Sequence, residues 1–170
     1  MLHLRDLQPA DAATIATWID SLDALILWSG KSGFTWPFAG EQLLALRAAD
    51  SDRRLLVATD PAGAVIGHFS LRPVDDDSAV RLGLVLVAPY ARGKGYGAAM
   101  VAAALDTAFA DPDVSRVTLG VYAHNTGARR LYERLGFREE RVYESSIEVG
   151  GKWWTSVTMG LVREAWEAGR

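Results

Sequence analysis

A glycine-rich loop that carries two cations is the most informative chemical feature of this sequence. Residues 85–105 read as a buried strand, a loop and a helix, and the loop contains Arg92, Gly95 and Gly97 in an Arg-x-x-Gly-x-Gly spacing. Glycine lets the backbone approach a ligand closely, and the first-turn amides of a helix attract anions. The loop is neither a Walker A motif nor a Rossmann fingerprint. It predicts a pyrophosphate site in which Arg92 and Lys94 add positive charge.

A second candidate site follows in residues 116–137. The sequence RVTLGVYAHNTGARRLYERLGF predicts a strand over residues 116–121 and a helix that begins near Asn125. Asn125 stands where a helix cap would stand, so we expect its side-chain oxygen to accept a first-turn amide. Tyr132 follows two helical turns later on nearly the same face, where a tyrosine is commonly buried with its hydroxyl at the surface.

Together these motifs resemble the two cofactor-binding motifs of the GNAT acyltransferases, the GCN5-related N-acetyltransferase superfamily. The resemblance rests on the loop RGKGYGA after a strand, then Asn125, Ala128, Tyr132 and the pair Gly136-Phe137, and it covers most of the chain. Among subfamilies, the sequence resembles small bacterial acetyltransferases of the RimJ/RimL-like type. The resemblance implies acetyl-CoA as the co-substrate, no metal, and transfer of an acetyl group to an amine.

The resemblance also implies which residues contact the cofactor. The strands that end near Val87 and Val121 would splay apart, and the pantetheine arm of coenzyme A would fill the gap like an added strand. Leu86 and Val87 would pair with that arm, and a backbone amide near Val87 would donate to the oxyanion. Asn125 would contact the arm as well. The diphosphate would bind to Arg92, Gly93, Lys94, Gly95, Tyr96, Gly97 and Ala98.

For Tyr132 the resemblance implies a catalytic role. Acyl transfer to an amine needs an uncharged amine, donors for the oxyanion and a proton for the departing thiolate. With ordinary pKa values of about 8.5 for a thiol and about 10 for a phenol, proton transfer from Tyr132 to the sulfur is mildly uphill. The sequence has no cysteine, so an acyl-cysteine intermediate is excluded and direct transfer in a ternary complex is expected.

The general base is the point at which the sequence departs from the resemblance. Related acetyltransferases often have a glutamate in the strand before the phosphate loop, whereas VRLGLVL has Arg81 at that place. The remaining candidates are His68, and Glu144 or Glu148 acting through water. His68 has a suitable ordinary pKa, although a lone histidine in a strand is more often structural.

Aromatic residues before the first long strand are candidates for the acceptor site. The loop over residues 27–40 carries Trp28, Phe34 and Trp36. These rings predict either a wall that binds an apolar or ammonium group, or anchors that hold the loop on the domain.

Charged strand and turn residues offer further acceptor contacts. Arg72 and Arg81 either contact an acidic acceptor or are plain exposed strand residues. The run Asp75, Asp76 and Asp77 predicts a solvated turn, with a docking edge for a cationic substrate as the alternative.

The order of elements predicts a mixed α/β (α+β) fold. Apolar spacing predicts helices over residues 9–19, 41–48, 96–110 and 126–135. Strands are expected over residues 2–5, 54–59, 64–73, 80–88 and 116–121, before a closing hairpin at Gly150-Gly151 and a frayed helical tail. The GNAT resemblance implies about seven mostly antiparallel strands, with splayed central strands and helices on both faces.

Composition limits the class of protein. The chain has 170 residues, of which 49% are hydrophobic and 23% charged, and its formal net charge is −3. One domain over residues 1–170 with its own core is expected. A nucleic-acid partner would need a clustered basic face, and a membrane span would need a longer apolar run. Since a signal peptide is not evident either, we expect a cytoplasmic protein.

The leading hypothesis is an acetyl-CoA-dependent N-acetyltransferase that acts on a small-molecule amine. The resemblance implies a homodimer formed through the closing hairpin. A protein N-terminus as acceptor is the first alternative, and a noncatalytic acyl-CoA sensor is the second. The sensor hypothesis rests on the absence of a glutamate from the strand before the phosphate loop. The presence of the family's motif residues from Asn125 to Tyr132 argues against it.

Overall fold

The computed structural model describes residues 1–74 and 78–170. The predicted turn at Asp75, Asp76 and Asp77 lies outside the described residues. The chain divides into two compact units, which we call unit 1 (Met1–Arg72 and Leu82–Ala104) and unit 2 (Pro73–Arg81 and Leu105–Arg170). A single domain over residues 1–170 stays a prediction.

Seven strands form one hydrogen-bonded sheet. In chain order they are β1 (His3–Asp6), β2 (Arg54–Thr59), β3 (Val65–Val74), β4 (Ala79–Val87), β5 (Arg116–Tyr122), β6 (Arg138–Val149) and β7 (Lys152–Val162). Their order across the sheet is β1-β2-β3-β4-β5-β7-β6. The pair β4–β5 is parallel, whereas β1–β2, β2–β3, β5–β7 and β6–β7 are antiparallel. The predicted mixed, mostly antiparallel sheet of about seven strands is confirmed.

The helices differ from the prediction near the amino terminus. They are α1 (Pro9–Ala16), α2 (Leu22–Ser29), α3 (Gly40–Ala49), α4 (Tyr96–Phe109), α5 (Thr126–Arg134) and α6 (Arg163–Ala168). The predicted first helix was too long, because Trp18 and Ile19 donate to the carbonyls three residues back, in tight turns that end the α-helix. Among the residues that the structure describes, no helix has both the length and the apolar character of a membrane span.

Helix α2 was missed, since the prediction ended the first helix at residue 19, placed residues 27–40 in a loop and assigned no element between them. Ser21 caps this helix by accepting the Ala24 amide at 3.1 Å, and Gly30 ends it. Both signals are in the sequence: a serine at the N-cap and a glycine after the last turn. The aromatic cluster that follows therefore begins on a helix rather than on a loop.

In unit 1, α4 packs closely on the sheet at Gly67 of β3. A Cβ at Gly67 would lie 2.5 Å from the Met100 sulfur and 3.1 Å from the Leu86 carbonyl oxygen. Glycine favours this approach, because a side chain here would displace the Met100 side chain and crowd the Leu86 carbonyl. The contact fixes the start of α4 relative to the end of β4, which is where the phosphate loop lies.

In unit 2, the two faces of β5 and β7 differ in character. We call the buried apolar side the core face, and it consists of Val117, Leu119, Val121, Val157, Met159 and Leu161. We call the other side the polar face, and it includes Thr118, Gly120 and Tyr122 on β5, with Gly160, Thr158, Ser156 and, by alternation, Trp154 on β7. The period-two spacing of β7 predicts that Trp153 shares this side with Val157, Met159 and Leu161; those three are buried, whereas Trp153, at the start of the strand, is 62% exposed.

Candidate active site

The glycine-rich loop has the predicted place between β4 and α4 in unit 1. After β4, a single 3₁₀ turn covers Pro89–Ala91, and the helix α4 begins at Tyr96. Gly93 and Gly95 have φ angles of 74° and 81°, and apart from the adjoining residues of the chain no described atom lies within 4 Å of the position that a Cβ would take at either residue. The glycines are therefore required by backbone conformation, and the space above them is open to a ligand.

Free backbone donors follow this loop. The Ala99 amide donates to the Gly95 carbonyl at 3.2 Å, so the regular bonding of α4 starts there. The amides of Tyr96, Gly97 and Ala98 precede it, and by helix geometry they have no intrahelical acceptor. These three residues form the first turn of the helix rather than part of the loop. The positive end of α4 thus faces the loop, as a phosphate site requires.

The cations of the loop are exposed at its rim. Arg92 donates from Nε to the Val87 carbonyl oxygen at 3.2 Å, which ties the loop to the last residue of β4. The Lys94 side chain is exposed to solvent. Both charges are available to an anion bound at the start of α4.

The end of β4 is irregular and is not paired with β5. The β4–β5 ladder comprises three pairs, Ala79–Arg116, Val80–Val117 and Arg81–Thr118, all in unit 2. β4 continues to Val87 and β5 to Tyr122, so the ladder ends before either strand does. Leu84 has φ 52°, a left-handed conformation that interrupts a regular strand. Leu86 and Val87 follow this irregularity.

Asn125 and Tyr132 lie on α5 in unit 2. Asn125 caps the helix as predicted, because its Oδ1 accepts the Ala128 amide at 3.4 Å. Tyr132 is buried with 7% exposure and packs edge-to-face on Phe137, with 5.7 Å between the ring centroids. Within residues 1–74 and 78–170 its hydroxyl has no hydrogen-bond partner. Burial raises the pKa of Tyr132 to about 12, which makes it a weaker acid than an ordinary phenol.

His68 is fully buried in unit 1. Its Nδ1 lies 2.8 Å from the Leu56 carbonyl oxygen, and its Nε2 has no partner. Desolvation by burial lowers the pKa of His68 to about 4. The imidazole is therefore uncharged at neutral pH and is a weaker base than an ordinary histidine. Of the other two candidates, Glu144 and Glu148 both lie exposed on β6.

The aromatic residues before β2 form a packed cluster in unit 1. Trp28 stacks on Phe34 at 5.7 Å and meets Phe38 edge-on at 5.4 Å. Trp28 also lies 6.2 Å from the His68 ring. Trp36 is 41% exposed and takes part in no ring contact of the described residues, so the predicted wall contains Phe38 in its place. The mutual packing favours the interpretation that these rings anchor the loop.

Arg72 differs from Arg81 in its surroundings. Arg72 forms an ion pair with Asp50 at 2.8 Å, which occupies its charge within unit 1. Arg81 lies in unit 2, where its Nη2 is 2.8 Å from the position that a Cβ would take at Gly120. The two arginines, which the sequence could not distinguish, are thus held in different ways.

An aromatic group in unit 2, close to Asn125 in the sequence, was not predicted. Tyr122 and His124 both contact Trp154, at 5.1 Å and 4.6 Å between ring centroids. Tyr122 is buried, and desolvation raises the pKa of its phenol. The alternation of β5 is a sequence signal that puts Tyr122 on the same face as Gly120, but only the pairing of β5 with β7 brings Trp154 to it. Among the described residues, no group of acidic and histidine side chains is arranged to hold a metal ion.

A family model described as the acetyltransferase (GNAT) family matches residues 21–137 of this chain. The chain belongs to the GNAT family. The matched segment begins before α2 and ends at Phe137, so it contains the phosphate loop, Asn125 and Tyr132. The predicted family is confirmed, whereas the RimJ/RimL-like subtype stays a prediction.

Individual relatives agree with the GNAT assignment. The SPbeta prophage-derived uncharacterized N-acetyltransferase YokL of Bacillus subtilis (strain 168) is 27% identical over 169 residues, which cover 98% of this chain and 92% of that protein. Phosphinothricin N-acetyltransferase of Streptomyces coelicolor is 32% identical over 127 residues, which cover 71% of this chain and 74% of that protein.

Solved GNAT structures share the fold. The crystal structure of spermidine N-acetyltransferase from Vibrio cholerae in complex with CoA and spermine has a TM-score of 0.82, with 23% identity and 98% of each chain covered. The present GNAT chain is thus an acetyl-CoA-dependent N-acetyltransferase, as predicted. The roles of its individual site residues stay predictions.

Proposed function

We propose that this enzyme transfers the acetyl group of acetyl-CoA to a primary amine of a small molecule, by direct attack in a ternary complex. The observation that carries the proposal is the exposed loop of Gly93 and Gly95 at the open start of α4. Relatives whose names give an acceptor, phosphinothricin and spermidine, support a small-molecule amine. Since the chain has no cysteine, no acyl-cysteine stage enters the scheme.

Unit 1 supplies the groups that bind the cofactor in this proposal. The amides of Tyr96, Gly97 and Ala98 face the diphosphate, and Arg92 and Lys94 neutralise part of its charge. Leu86 and Val87 offer backbone groups to the two amides of the pantetheine arm. Asn125 caps α5, and the family resemblance implies that it also contacts the pantetheine arm.

Acetyl-CoA supplies a thioester carbonyl: the amine nitrogen bonds to its carbon, the carbon–sulfur bond breaks, and the proton lost by the amine ends on the sulfur. A backbone amide near Val87 donates to the oxygen that becomes negative. The residues of the site hold the amine against the thioester, which supplies most of the rate acceleration.

Tyr132 acts at the leaving sulfur by hydrogen bonding rather than by complete proton transfer. Burial raises the pKa of Tyr132 to about 12, far above the value near 8.5 of an ordinary thiol. Donation of the whole proton is therefore strongly uphill, more so than for an exposed tyrosine. A hydrogen bond that shortens as charge develops on the sulfur still stabilises the transition state.

The amine is deprotonated without His68 in this scheme. A base with a pKa of about 4 is too weak to take a proton readily from an ammonium ion, and its basic Nε2 is buried away from solvent. Glu144 or Glu148 acting through water remain the candidates, together with water itself.

Two measurements test the proposed acetyl transfer. Calorimetry measures binding of coenzyme A, and free-thiol release from acetyl-CoA measures turnover with amines, polyamines, amino acids, aminoglycosides and peptides bearing a free N-terminus. Binding together with thiol release on a small amine supports the proposal. Release on peptides alone would replace it with protein acetylation, and binding without release on any acceptor would indicate a sensor.

A further inference from the structure

We propose that His124 is the general base that takes a proton from the acceptor amine. The inference rests on the proposed function and adds one residue to its site. His124 lies just after β5 and directly before Asn125, and its side chain is exposed. Among residues 1–74 and 78–170, neither of its ring nitrogens has a hydrogen-bond or ion-pair partner. An uncharged imidazole keeps a lone pair on one nitrogen, which can accept a proton.

Two aromatic contacts within unit 2 fix the position of the His124 ring. The ring meets Trp154 edge-on, with 4.6 Å between the ring centroids. It also stacks at 25° against Tyr122, with 6.1 Å between the centroids. Both neighbours belong to the polar face of β5 and β7. The imidazole therefore lies on the polar face, although its residue follows the last residue of β5.

The helix α5 lies on the opposite side of the same strands. A Cβ at Gly136, just after α5, would be 3.2 Å from Cδ1 of Leu161, which belongs to the core face. Tyr132 of α5 packs on the fully buried Phe137. His124 and Tyr132 thus come from opposite sides of the sheet in unit 2.

This arrangement suits the two proton transfers of the reaction. In the proposed function, Asn125 contacts the cofactor arm and Tyr132 donates a hydrogen bond to the leaving sulfur. The acid at the sulfur and the base at the amine act on different atoms, so two groups are needed. His124, next to Asn125 in the chain, supplies the second group from the polar face.

The two glutamates of β6 are placed differently. Glu148 pairs with Trp153, and by alternation Trp153 is on the side of Val157, a residue of the core face. Glu148 is therefore directed away from the polar face. Glu144 lies in the irregular part of β6, between the positions that pair regularly with β7, and is the remaining rival to His124.

The described surroundings of His124 leave its imidazole free of an ion pair. The Tyr122 phenol is the titratable group in contact with it, and burial raises the pKa of that phenol, so it is uncharged at neutral pH. On α5, Arg129 is paired with Glu139 of β6 at 3.1 Å. The strand β7 has no titratable side chain after Lys152.

The protons balance as follows when the acceptor begins as an ammonium ion. One proton moves from the ammonium nitrogen to the lone pair of the His124 ring, and the imidazolium then gives it to water. The second proton leaves the nitrogen as the carbon–sulfur bond breaks, and it ends on the sulfur. Histidine is the side chain type whose ordinary pKa lies nearest to neutral pH, which suits the first transfer.

The test follows thiol release from about pH 6 to about pH 10, with the alkyl amine of the acceptor panel that the wild type acetylates fastest. His124→Gln should lower kcat/KM at pH 7 by about a hundredfold and leave coenzyme A affinity unchanged. The deficit should shrink toward pH 10, because an alkyl amine with a pKa of about 10.4 then loses its proton to solvent.

Three further variants separate proton transfer from packing. His124→Phe keeps a ring against Trp154 but has no lone pair, so it should be as slow as His124→Gln. His124→Ala should regain activity when imidazole is added, because the position is exposed. His3→Gln removes another exposed histidine and should behave like the wild type.

The outcomes distinguish this inference from the proposed function. A fully active His124→Phe enzyme would leave His124 with a packing role and overturn the inference, and so would a deficit of His124→Gln that stays constant with pH. Failure of imidazole to rescue His124→Ala would count against it as well. A loss in Glu144→Gln with a normal His124→Gln enzyme would assign the base to Glu144. A wild type with neither coenzyme A binding nor thiol release would overturn the proposed function, and this inference with it.

Discussion

His68 Nδ1 donates to the carbonyl oxygen of Leu56 at 2.8 Å, across the β2–β3 pair. The bond fixes the tautomer, because a carbonyl can only accept, and it leaves the buried Nε2 without a partner. We therefore expect His68 to affect the stability of the fold rather than catalysis.

We expect acid to destabilise the protein through His68. Burial lowers the pKa of His68 to about 4, below the value near 6.5 of the unfolded chain, so the unfolded state binds more protons between these values. The full stability is present above pH 6.5 and falls as the pH drops toward 4. From pH 7 to pH 5 the loss should be about 2 kcal/mol, measured by urea unfolding.

His68→Asn is the matched variant, since its amide can still donate to Leu56 and does not titrate. Its free energy of unfolding should change less over the same pH interval, whereas His3→Gln, at an exposed position, should behave like the wild type. Equal slopes in His68→Asn and wild type would show that His68 is not the titrating group.

Tyr132→Phe should lower kcat by about a hundredfold and leave coenzyme A affinity nearly unchanged. Because the pKa of Tyr132 is raised to about 12, the wild-type phenol should stay protonated up to pH 10, and kcat should show no alkaline loss from it below that pH. A pH profile of kcat checks this point. Tyr143→Phe, on exposed β6, is the control, and a fully active Tyr132→Phe enzyme would remove the residue from the mechanism.

Replacing Arg92 and Lys94 together by glutamine should raise KM for acetyl-CoA by about tenfold or more, with kcat retained. Added salt should raise KM in the wild type more than in this variant, because the lost contacts are exposed charge pairs. Steady-state kinetics at two ionic strengths measures both effects. Lys152→Gln, at the start of β7, is the control for a general loss of charge, and an unchanged KM in the double variant would place the diphosphate elsewhere.

Asn125→Ala should cost about 1 kcal/mol of stability, because the helix α5 loses its cap. Asn125→Ser should restore the cap. If Asn125 also contacts the cofactor arm, the serine variant should still have a raised KM for acetyl-CoA. Thermal unfolding and kinetics on the two variants separate the roles, and a serine variant with normal KM would leave Asn125 with the capping role alone.

Arg163 should be among the most sensitive positions in unit 2. It donates to the Val114 carbonyl from Nε at 3.0 Å and to the Phe109 carbonyl from Nη1 at 2.9 Å, and it lies over the Phe109 ring at 5.1 Å. Arg163→Ala should cost about 2–4 kcal/mol, since it leaves three carbonyls, those of Phe109, Asp111 and Val114, without their donor. Arg163→Lys should recover only part of this, because an ammonium cannot make the forked contacts. Urea unfolding measures both variants, and a loss under 0.5 kcal/mol, as is usual for a surface position, would contradict the assignment.

Local sequence signals were sufficient for most elements of the fold. Alternating and helical apolar spacing located β2, β5, α4 and α5 within a few residues, because burial of one face requires that spacing. The early helix ended sooner than predicted, since hydrogen bonds at Trp18 and Ile19 tighten the chain into turns that the apolar pattern does not reveal. Helix α2 was missed although its cap residue Ser21 is visible in the sequence.

The sequence by itself determined the family and the loop chemistry: the glycines of the loop, the cap at Asn125 and the place of Tyr132 are local features, and local spacing specifies them. The tertiary structure decided the environment of each group. It buried His68 and Tyr132, which lowers the pKa of the histidine and raises the pKa of the tyrosine. It also brought Phe38, rather than the predicted Trp36, into the aromatic cluster. It also placed Arg81 over Gly120. These outcomes depend on desolvation and on contacts between distant segments, which the spacing of residues along a chain does not encode.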